Sequence, residues 1–330
     1  MSSSFFSNSP ETIERVYGGG RRETLQSELE FFPHIISEEN FAQYAPELRE
    51  VELIFSTWGM PRLTAEQVAQ LPALKAVFYA AGSVQYFARP FLEAGIMVVS
   101  AWAANALPVA QFTLGQLLLA ARGFFAAERA CRTPEGRAAY SHRHPGLYGT
   151  AVSILGAGMI GARVIELLRP HDLDVLVYDP FLSAERAAGL GARKVDLPEA
   201  FERGVVVSNH IADLPETRGL LTRDLFERMP RYATFINTGR GATIDEPGLI
   251  AALEMRPDLT ALLDVTYPEP PLSRSPLYRL DNVVMTPHIA GNMGSEVFRQ
   301  ADLVIEEWRR YRDGLPPRYA VTLEMLKTMA

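Results

Sequence analysis

Cysteine is nearly absent. The 330-residue chain has one, Cys131, which can close no intramolecular disulfide and cannot alone supply a cysteine zinc site. A lone thiol of this kind is expected to be a small buried or half-buried residue. Its neighbours Arg129 and Arg132 are weak evidence for reactivity, and a reducing, cytoplasmic setting fits it. No metal is expected. Basic charge is also short: Lys plus Arg is 32 against 39 for Asp plus Glu, a formal net charge of −7, which argues against a nucleic-acid surface. Long uncharged apolar runs are missing too. The most membrane-like stretch, Pro108 to Ala127, contains Gln111, Gln116 and Arg122 and reads as a buried or interface helix, so no membrane partner is expected. The N-terminus MSSSFFSNSP has no positive region followed by an apolar core, so no secretory signal is expected. Internal repeats and low-complexity tracts are absent. What remains, 48% hydrophobic and 22% charged residues, excludes a disordered chain. The length suits about two domains.

The first hundred residues alternate short apolar runs with helical patterns. ELIFSTW (52–58), KAVFYAA (75–81) and IMVVS (96–100) read as strands. Helices are expected from near Ser37 and near Thr64, where Thr64 with Glu66 and Gln67 resembles a capped start. A long apolar helix is expected from about Leu107 to Ala130, followed by a polar loop or arm over 131–149. From Thr150 the pattern restarts: a strand, a glycine turn, a helix over Met159 to Leu168, then strands at 174–179, 204–209, 234–239, 259–265 and 282–287. Near-continuous apolar runs of this length suit the middle of a parallel sheet covered on both faces. The tail after about Met293 reads as a helix carrying Trp308 that packs back across the first domain.

The sharpest local pattern is Gly156-Ala157-Gly158-Met159-Ile160-Gly161. Alone, G-x-G-x-x-G is weak evidence. Here it follows an apolar strand and opens a helix, the context a dinucleotide site requires. Gly156 permits the tight turn, Gly158 lets backbone approach a pyrophosphate, and Gly161 lets the helix pack on the strand. The helix N-terminus offers free N–H groups and partial positive charge to phosphate. Asp179 closes the next strand, near the spacing of about 20 residues expected of a ribose-binding acid, which favours NAD over NADP. His210 ends a later strand near the same edge and is a candidate for backbone contact with NAD. The other histidines are expected to be plain: His142 and His144 solvated, His34 and His171 at the surface or its boundary.

Three polar groups sit at or beyond the ends of later strands, the edge where ligands bind in open parallel sheets: Arg240, Glu269 and His288. GAGMIG, NTGRGA, LDVTYPEP and TPHIAG, in this order and spacing, resemble the NAD-dependent D-2-hydroxyacid dehydrogenase family. The resemblance covers nearly the whole chain from about Glu52 to the C-terminus. It implies two doubly wound parallel-sheet α/β domains: a flavodoxin-like substrate domain over 1–103 with 298–330, and a Rossmann NAD-binding domain over 104–297. It implies that His288 is the general acid/base and that Glu269 orients its imidazole. Arg240 would bind the substrate carboxylate and polarise the 2-keto oxygen, and Asp264 would meet the nicotinamide carboxamide. Cofactor contacts would also come from Met159, Ile160, Thr238, Gly239, His288 and Gly291. The chemistry suits these residue types. Delivering a proton near neutrality fits histidine, and a planar guanidinium fork fits a carboxylate.

By the same resemblance, backbone N–H groups of Ala81, Gly82 and Ser83 would meet the substrate carboxylate, with Arg240 and His288 completing the contacts. The cleft would close on substrate and exclude water. Trp58, Gly59 and Met60 are candidates for the side-chain pocket, with Tyr79 and Met293 weaker ones. A pocket of Trp and Met favours an apolar or compact substituent over a phosphate. The chain stops at 330 without an extra regulatory domain, so the long phosphoglycerate-oxidising members are expected to match poorly. Gln111 stands where the family commonly has Glu, and Ala212 replaces a usual Pro. The family's first apolar strand is poorly represented by MSSSFFSNSP: either Phe5 and Phe6 end a very short strand, or the strand is missing. Residues 108–149 resemble the region through which members form twofold dimers, so a homodimer is expected. The expected reaction is reduction of a 2-keto acid, or its reverse, with NAD(H). A different enzymatic reading is another hydride partner such as formate. The non-enzymatic alternative is an NAD(H)-sensing corepressor-like interaction protein on the same scaffold.

Overall fold

The computed structural model describes residues 1–141 and 144–329. It divides into two compact units, Met1–Asn105 together with the chain from Asn292 onward, and Ala106–Gly291.

In the first unit, β1 (Ser2–Phe6), β2 (Glu30–Phe31), β3 (Leu53–Ser56), β4 (Ala76–Tyr79) and β5 (Met97–Ser100) form a parallel sheet in the order β5-β4-β3-β1-β2. The N-terminal strand is neither missing nor very short. β1 lies inside the sheet, with Ser3 opposite Leu53 and Phe6 opposite Ser56. Its serines hide it from an apolar-run reading, because Ser3 and Ser4 are fully buried while both hydroxyls lack a partner. Backbone pairing and burial of Phe5 and Phe6 outweigh the poor side chains.

In the second unit, β6 (Thr150–Leu155), β7 (Leu173–Tyr178), β8 (Arg193–Lys194), β9 (Val206–Asn209), β10 (Thr234–Asn237), β11 (Thr260–Leu263) and β12 (Val283–Met285) form a parallel sheet. Its order is β12-β11-β10-β9-β6-β7-β8. The order reverses at β6, which makes the carboxyl ends of β6 and β9 the switch point of a doubly wound sheet. The tail returns to the first unit. Helix Phe298–Arg312 buries Ala301, Val304 and Trp308 against Phe5, Phe55, Phe78 and Val99, and β13 (Ala320–Val321) adds antiparallel to β5.

Several local elements differ from the sequence reading. The long helix starts earlier, at Trp102, and stops at Ala121. Gly123 then takes φ +73° and a second helix, Phe124–Ala130, begins. Trp102–Ala121 is long and apolar enough by length and composition to cross a membrane, and it buries Ala110, Leu117, Ala120 and Ala121 in the core of the second unit. The following arm is not all loop: helix Pro134–Ala139 is capped by the Thr133 hydroxyl, which accepts the Gly136 N–H at 3.0 Å. Thr-Pro-Glu at 133–135 is the cap-and-proline signature that could have revealed it. Near Ser37 only the short helix Phe41–Tyr44 forms. At Thr64 the capping box is complete, with Thr64 Oγ1 accepting the Gln67 N–H and Gln67 Oε1 accepting the Thr64 N–H.

Candidate active site

β6 delivers the chain into the glycine turn. Gly156 sits at φ +86° and donates its N–H to the Tyr178 carbonyl at 2.7 Å. A side chain there would meet the His210 carbonyl oxygen at 2.9 Å, and a Cβ on Gly161 would lie 1.9 Å from the Gly156 oxygen. Gly158 differs: a Cβ there meets nothing within 4 Å. It opens helix Met159–Leu168 with no side-chain cap, so the first-turn N–H groups stay free for an acceptor. Met159 is exposed and Ile160 half-buried beside them. Free donors around an open space are what a pyrophosphate needs. Asp179, after β7, ties itself to this turn: Oδ2 accepts the Ala157 N–H at 2.7 Å and Oδ1 the Phe181 N–H at 2.8 Å.

His210 follows β9. Its N–H donates to the Leu155 carbonyl at 2.7 Å and its Nε2 lies 2.9 Å from Ser208 Oγ. The residue keeps partial exposure, but Nδ1 is enclosed without a partner. Burial lowers the imidazole from 6.5 to about 4, so the ring is neutral above about pH 5. A rate profile near neutrality therefore does not report His210.

The turn after β10 is built by residues that pattern reading passed over. Asn209 Nδ2 donates to Asn237 Oδ1 at 3.0 Å and to Thr243 Oγ1 at 2.9 Å. Asn237 Oδ1 also accepts the Gly239 N–H at 3.1 Å, and its Nδ2 donates to the Arg240 carbonyl at 3.2 Å. Both asparagines are fully buried, so this network fixes the turn that carries Arg240. The available signal was a buried-strand pattern ending on a polar residue twice, at Asn209 and Asn237. Thr238 is committed elsewhere, its hydroxyl lying 2.9 Å from Thr113 Oγ1. Gly239 approaches the Asn209 carbonyl, where a Cβ would sit at 3.0 Å, and a Cβ on Gly241 would fall 2.0 Å from the Thr266 backbone. Burial lowers the Arg240 guanidinium from its ordinary value, while Asp213 and Glu269 draw it back up. Arg240 thus carries a cation in a partly desolvated setting.

His288 and Glu269 are brought together, with Nδ1 2.6 Å from Oε1. The carboxylate fixes the ring through Nδ1, leaving Nε2 as the free position. Both side chains are about half exposed. His288 is one of few non-glycine residues at positive φ, +56°. Its N–H lies 3.0 Å from both the Asp264 and Thr286 carbonyls. Asp264 holds the rest of this loop. It is 2% exposed, and its carboxylate accepts Thr286 Oγ1 at 2.6 Å, the Ile289 N–H at 2.8 Å and the Ala290 N–H at 2.9 Å. Three of about four acceptor positions are occupied, which leaves one for an outside donor. Gly291, half-buried, closes the loop.

In the first unit, the segments after β3 and β4 carry the remaining candidates. Trp58, Gly59, Gly82 and Ser83 are half-buried. Met60 and Ala81 are not open to a ligand through their side chains: both are core residues, at 1% and 0% exposure. Met60 follows the turn at Gly59, its N–H donating to the Thr57 carbonyl at 3.2 Å, and its side chain packs in the core. Tyr79 is likewise buried, with its hydroxyl 3.2 Å from Tyr86 Oη. Met293 and Gln111 are exposed.

Other residues depart from expectation. Cys131 is exposed, at the C-cap of helix Phe124–Ala130. His144 is half-buried with Nδ1 enclosed, its ring 5.9 Å from that of Tyr232. His34 is exposed and stacks on Tyr44, and His171 is at the boundary. His142 lies outside the described residues. Among the described residues, no group of three His, Cys, Asp or Glu is placed to hold a metal ion.

The family described as D-isomer specific 2-hydroxyacid dehydrogenase, NAD binding domain, matches residues 114–290. The chain belongs to this family. Its second unit is the family's NAD-binding domain, and the glycine turn, the uncapped helix start and the space at Gly158 fit NAD as cofactor. The chain is 33% identical over 236 residues to a D-3-phosphoglycerate dehydrogenase of Archaeoglobus fulgidus, covering 71% of this chain and 44% of that one. It is 30% identical over 272 residues to a glyoxylate reductase of Korarchaeum cryptofilum, covering 80% of this chain and 81% of the relative. Thus it spans less than half the length of the phosphoglycerate dehydrogenase. The fold is similar to that of the D-mandelate dehydrogenase of Rhodotorula graminis, with a TM-score of 0.81, 23% identity and coverage of 97% of both chains.

Proposed function

We propose that this family member is an NAD(H)-dependent reductase of a small 2-keto acid, interconverting it with the D-2-hydroxy acid. The observation that carries the reading is the His288–Glu269 pair on a loop anchored by Asp264, with Arg240 held by its own buried network on the neighbouring turn. NAD(H), when bound, supplies or accepts the hydride at C2. The chain's residues supply the rest. Arg240 presents a two-point fork to the substrate carboxylate and polarises the 2-keto oxygen. His288, held in place by Glu269, gives a proton to the oxygen as the hydroxyl forms, and takes it back in the reverse direction.

The test is NADH oxidation at 340 nm against glyoxylate, hydroxypyruvate, pyruvate and larger branched, aromatic and dicarboxylic 2-keto acids, with NADPH in parallel. Saturable turnover of one of them is expected. Tight NADH binding with no turnover on any would overturn the reading.

NAD is proposed to be preferred over NADP, because a carboxylate at Asp179 accepts ribose hydroxyls and repels a 2′-phosphate. Asp179→Ser is expected to narrow the preference by about 10-fold or more in kcat/KM, since it removes one charge from that site. Wild-type preference for NADPH would count against the assignment. Residues 108–149 are proposed to form a twofold homodimer interface. Leu119, Phe124 and Tyr148 are exposed there, at 43%, 48% and 88%, more apolar surface than a solvated arm needs. Light scattering at micromolar concentration is expected to give twice the chain mass of 36.6 kDa, and a monomeric mass would sink the proposal. The lone Cys131 fits a reducing compartment such as the cytoplasm.

A further inference from the structure

We propose that Arg218 is a positioning residue: by engaging Asp213 it keeps that carboxylate off Arg240 and leaves the Arg240 guanidinium open to the substrate carboxylate. The inference rests on the reductase reading above and deepens it. All three residues belong to the second unit.

Arg240 donates Nη1 to the Gly239 carbonyl at 2.8 Å, and among the described residues no carboxylate stands at ion-pair distance from it. A partly desolvated cation ordinarily acquires such a partner. Two carboxylates are near enough for their charge to act on Arg240, Asp213 more strongly than Glu269, and both are engaged elsewhere. Glu269 is held at 2.6 Å by His288. Asp213 is held by Arg218, whose Nε lies 2.9 Å from Oδ1 and whose Nη2 lies 3.5 Å from Oδ2.

The loop after β9 brings this pair together. Thr217 Oγ1 lies 2.6 Å from the Ala212 carbonyl oxygen and accepts the Leu214 N–H at 2.9 Å. That closes the turn between Asp213 and Arg218. The chain then runs along the turn that carries Arg240: the Gly219 N–H donates to the Ala242 carbonyl at 2.9 Å, and the Leu221 N–H to the Thr243 carbonyl at 3.0 Å. The main chain on both sides is therefore fastened, and side-chain torsions decide which guanidinium Asp213 meets. The Arg218 and Asp213 side chains are 59% and 27% exposed, so their pairing adds little to stability. Its consequence is positional. A carboxylate released from Arg218 finds in Arg240 a drier cation, where two-point contact is stronger than at the surface. It would then occupy the fork that the substrate carboxylate needs, and substrate affinity would fall in proportion to the fraction of protein with the fork free.

The experiment measures kcat and KM with NADH and the 2-keto acid turned over best in the panel above. Arg218→Gln is expected to raise KM about 10-fold, with kcat changed by less than about 2-fold. Arg218→Lys, which still holds Asp213, should stay close to wild type. Asp213→Asn alone should not raise KM, and the double variant Asp213→Asn with Arg218→Gln should return it to near the wild-type value. The rise in Arg218→Gln should persist at about 1 M KCl, where the screening length is about 3 Å, because the new contact is a direct one. Fluorescence titration of NADH alone should give the same affinity in every variant. An unchanged KM in Arg218→Gln, or a rise that the double variant retains, overturns the inference. So does a rise that salt abolishes, which would mean that Arg218 attracts substrate by its own charge, or a loss of NADH affinity, which would mean a distorted loop. Each of these leaves the reductase reading intact. Absence of turnover by the wild-type protein with every 2-keto acid overturns the reductase reading, and this inference with it.

Discussion

His288→Ala is expected to lower turnover by about 100-fold or more, with NADH affinity nearly unchanged. The loss follows from the geometry. Glu269 engages Nδ1 at 2.6 Å, so the opposite ring nitrogen is the one positioned proton donor on this loop. Without it, the oxygen must be protonated from water. The loop itself should survive the change, because its form is set by main-chain groups. Asp264 grips the N–H groups of Ile289 and Ala290, and the residue 288 N–H is held by two carbonyls. The positive φ at position 288 is a mild strain for alanine as for histidine. His288→Asn serves as a second variant, since asparagine tolerates that backbone region better and carries no titratable group. NADH oxidation in a single turnover, with fluorescence titration of NADH alone, separates the two effects. Turnover equal to wild type in either variant would remove His288 from the mechanism.

Gly161→Ala is expected to weaken NADH binding by about 100-fold or more and to destabilise the second unit by about 1–3 kcal/mol. The new Cβ would lie 1.9 Å from the Gly156 carbonyl oxygen, well inside contact distance. The obstacle is backbone, so no rotamer change relieves it, and helix and turn must separate by about 1 Å. That displacement moves the free N–H groups away from the open space at Gly158. Gly158→Ala gives the contrast. Its Cβ meets no protein atom, so it should leave the thermal midpoint near wild type and interfere only with the ligand. Equal NADH affinity in wild type and Gly161→Ala would mean that the phosphates are not held at this turn.

The parts of the molecule that were legible in the sequence are those where chemistry and pattern coincide. A glycine spacing between a strand and a helix has few structural solutions, and GAGMIG produces the expected turn with the expected close approaches. Likewise the distance between LDVTYPEP and TPHIAG cannot be read as geometry, but the resemblance they carry brings Glu269 and His288 within hydrogen-bond reach. Legibility fails where tertiary context overrides local preference. β1 contains three serines and was doubtful as a strand, yet backbone pairing on both sides places it inside the sheet. Met60 was read as lining a pocket because it follows a strand. Beyond the positive-φ turn at Gly59 its side chain lies in the core, and no one-dimensional pattern records that. Cys131 was expected to be sheltered and is exposed. The roles of Asn209 and Asn237 depend on strands adjacent in space but separated in sequence by 28 residues, so neither motif alone reveals the network.

Arg240, Glu269 and His288 follow three successive and adjacent strands, β10, β11 and β12, within one unbroken stretch of the second unit. For inheritance, this means that the reactive groups travel together on one short piece of gene. A recombination event that exchanges residues 1–105 would leave all three groups and the spacing between them untouched.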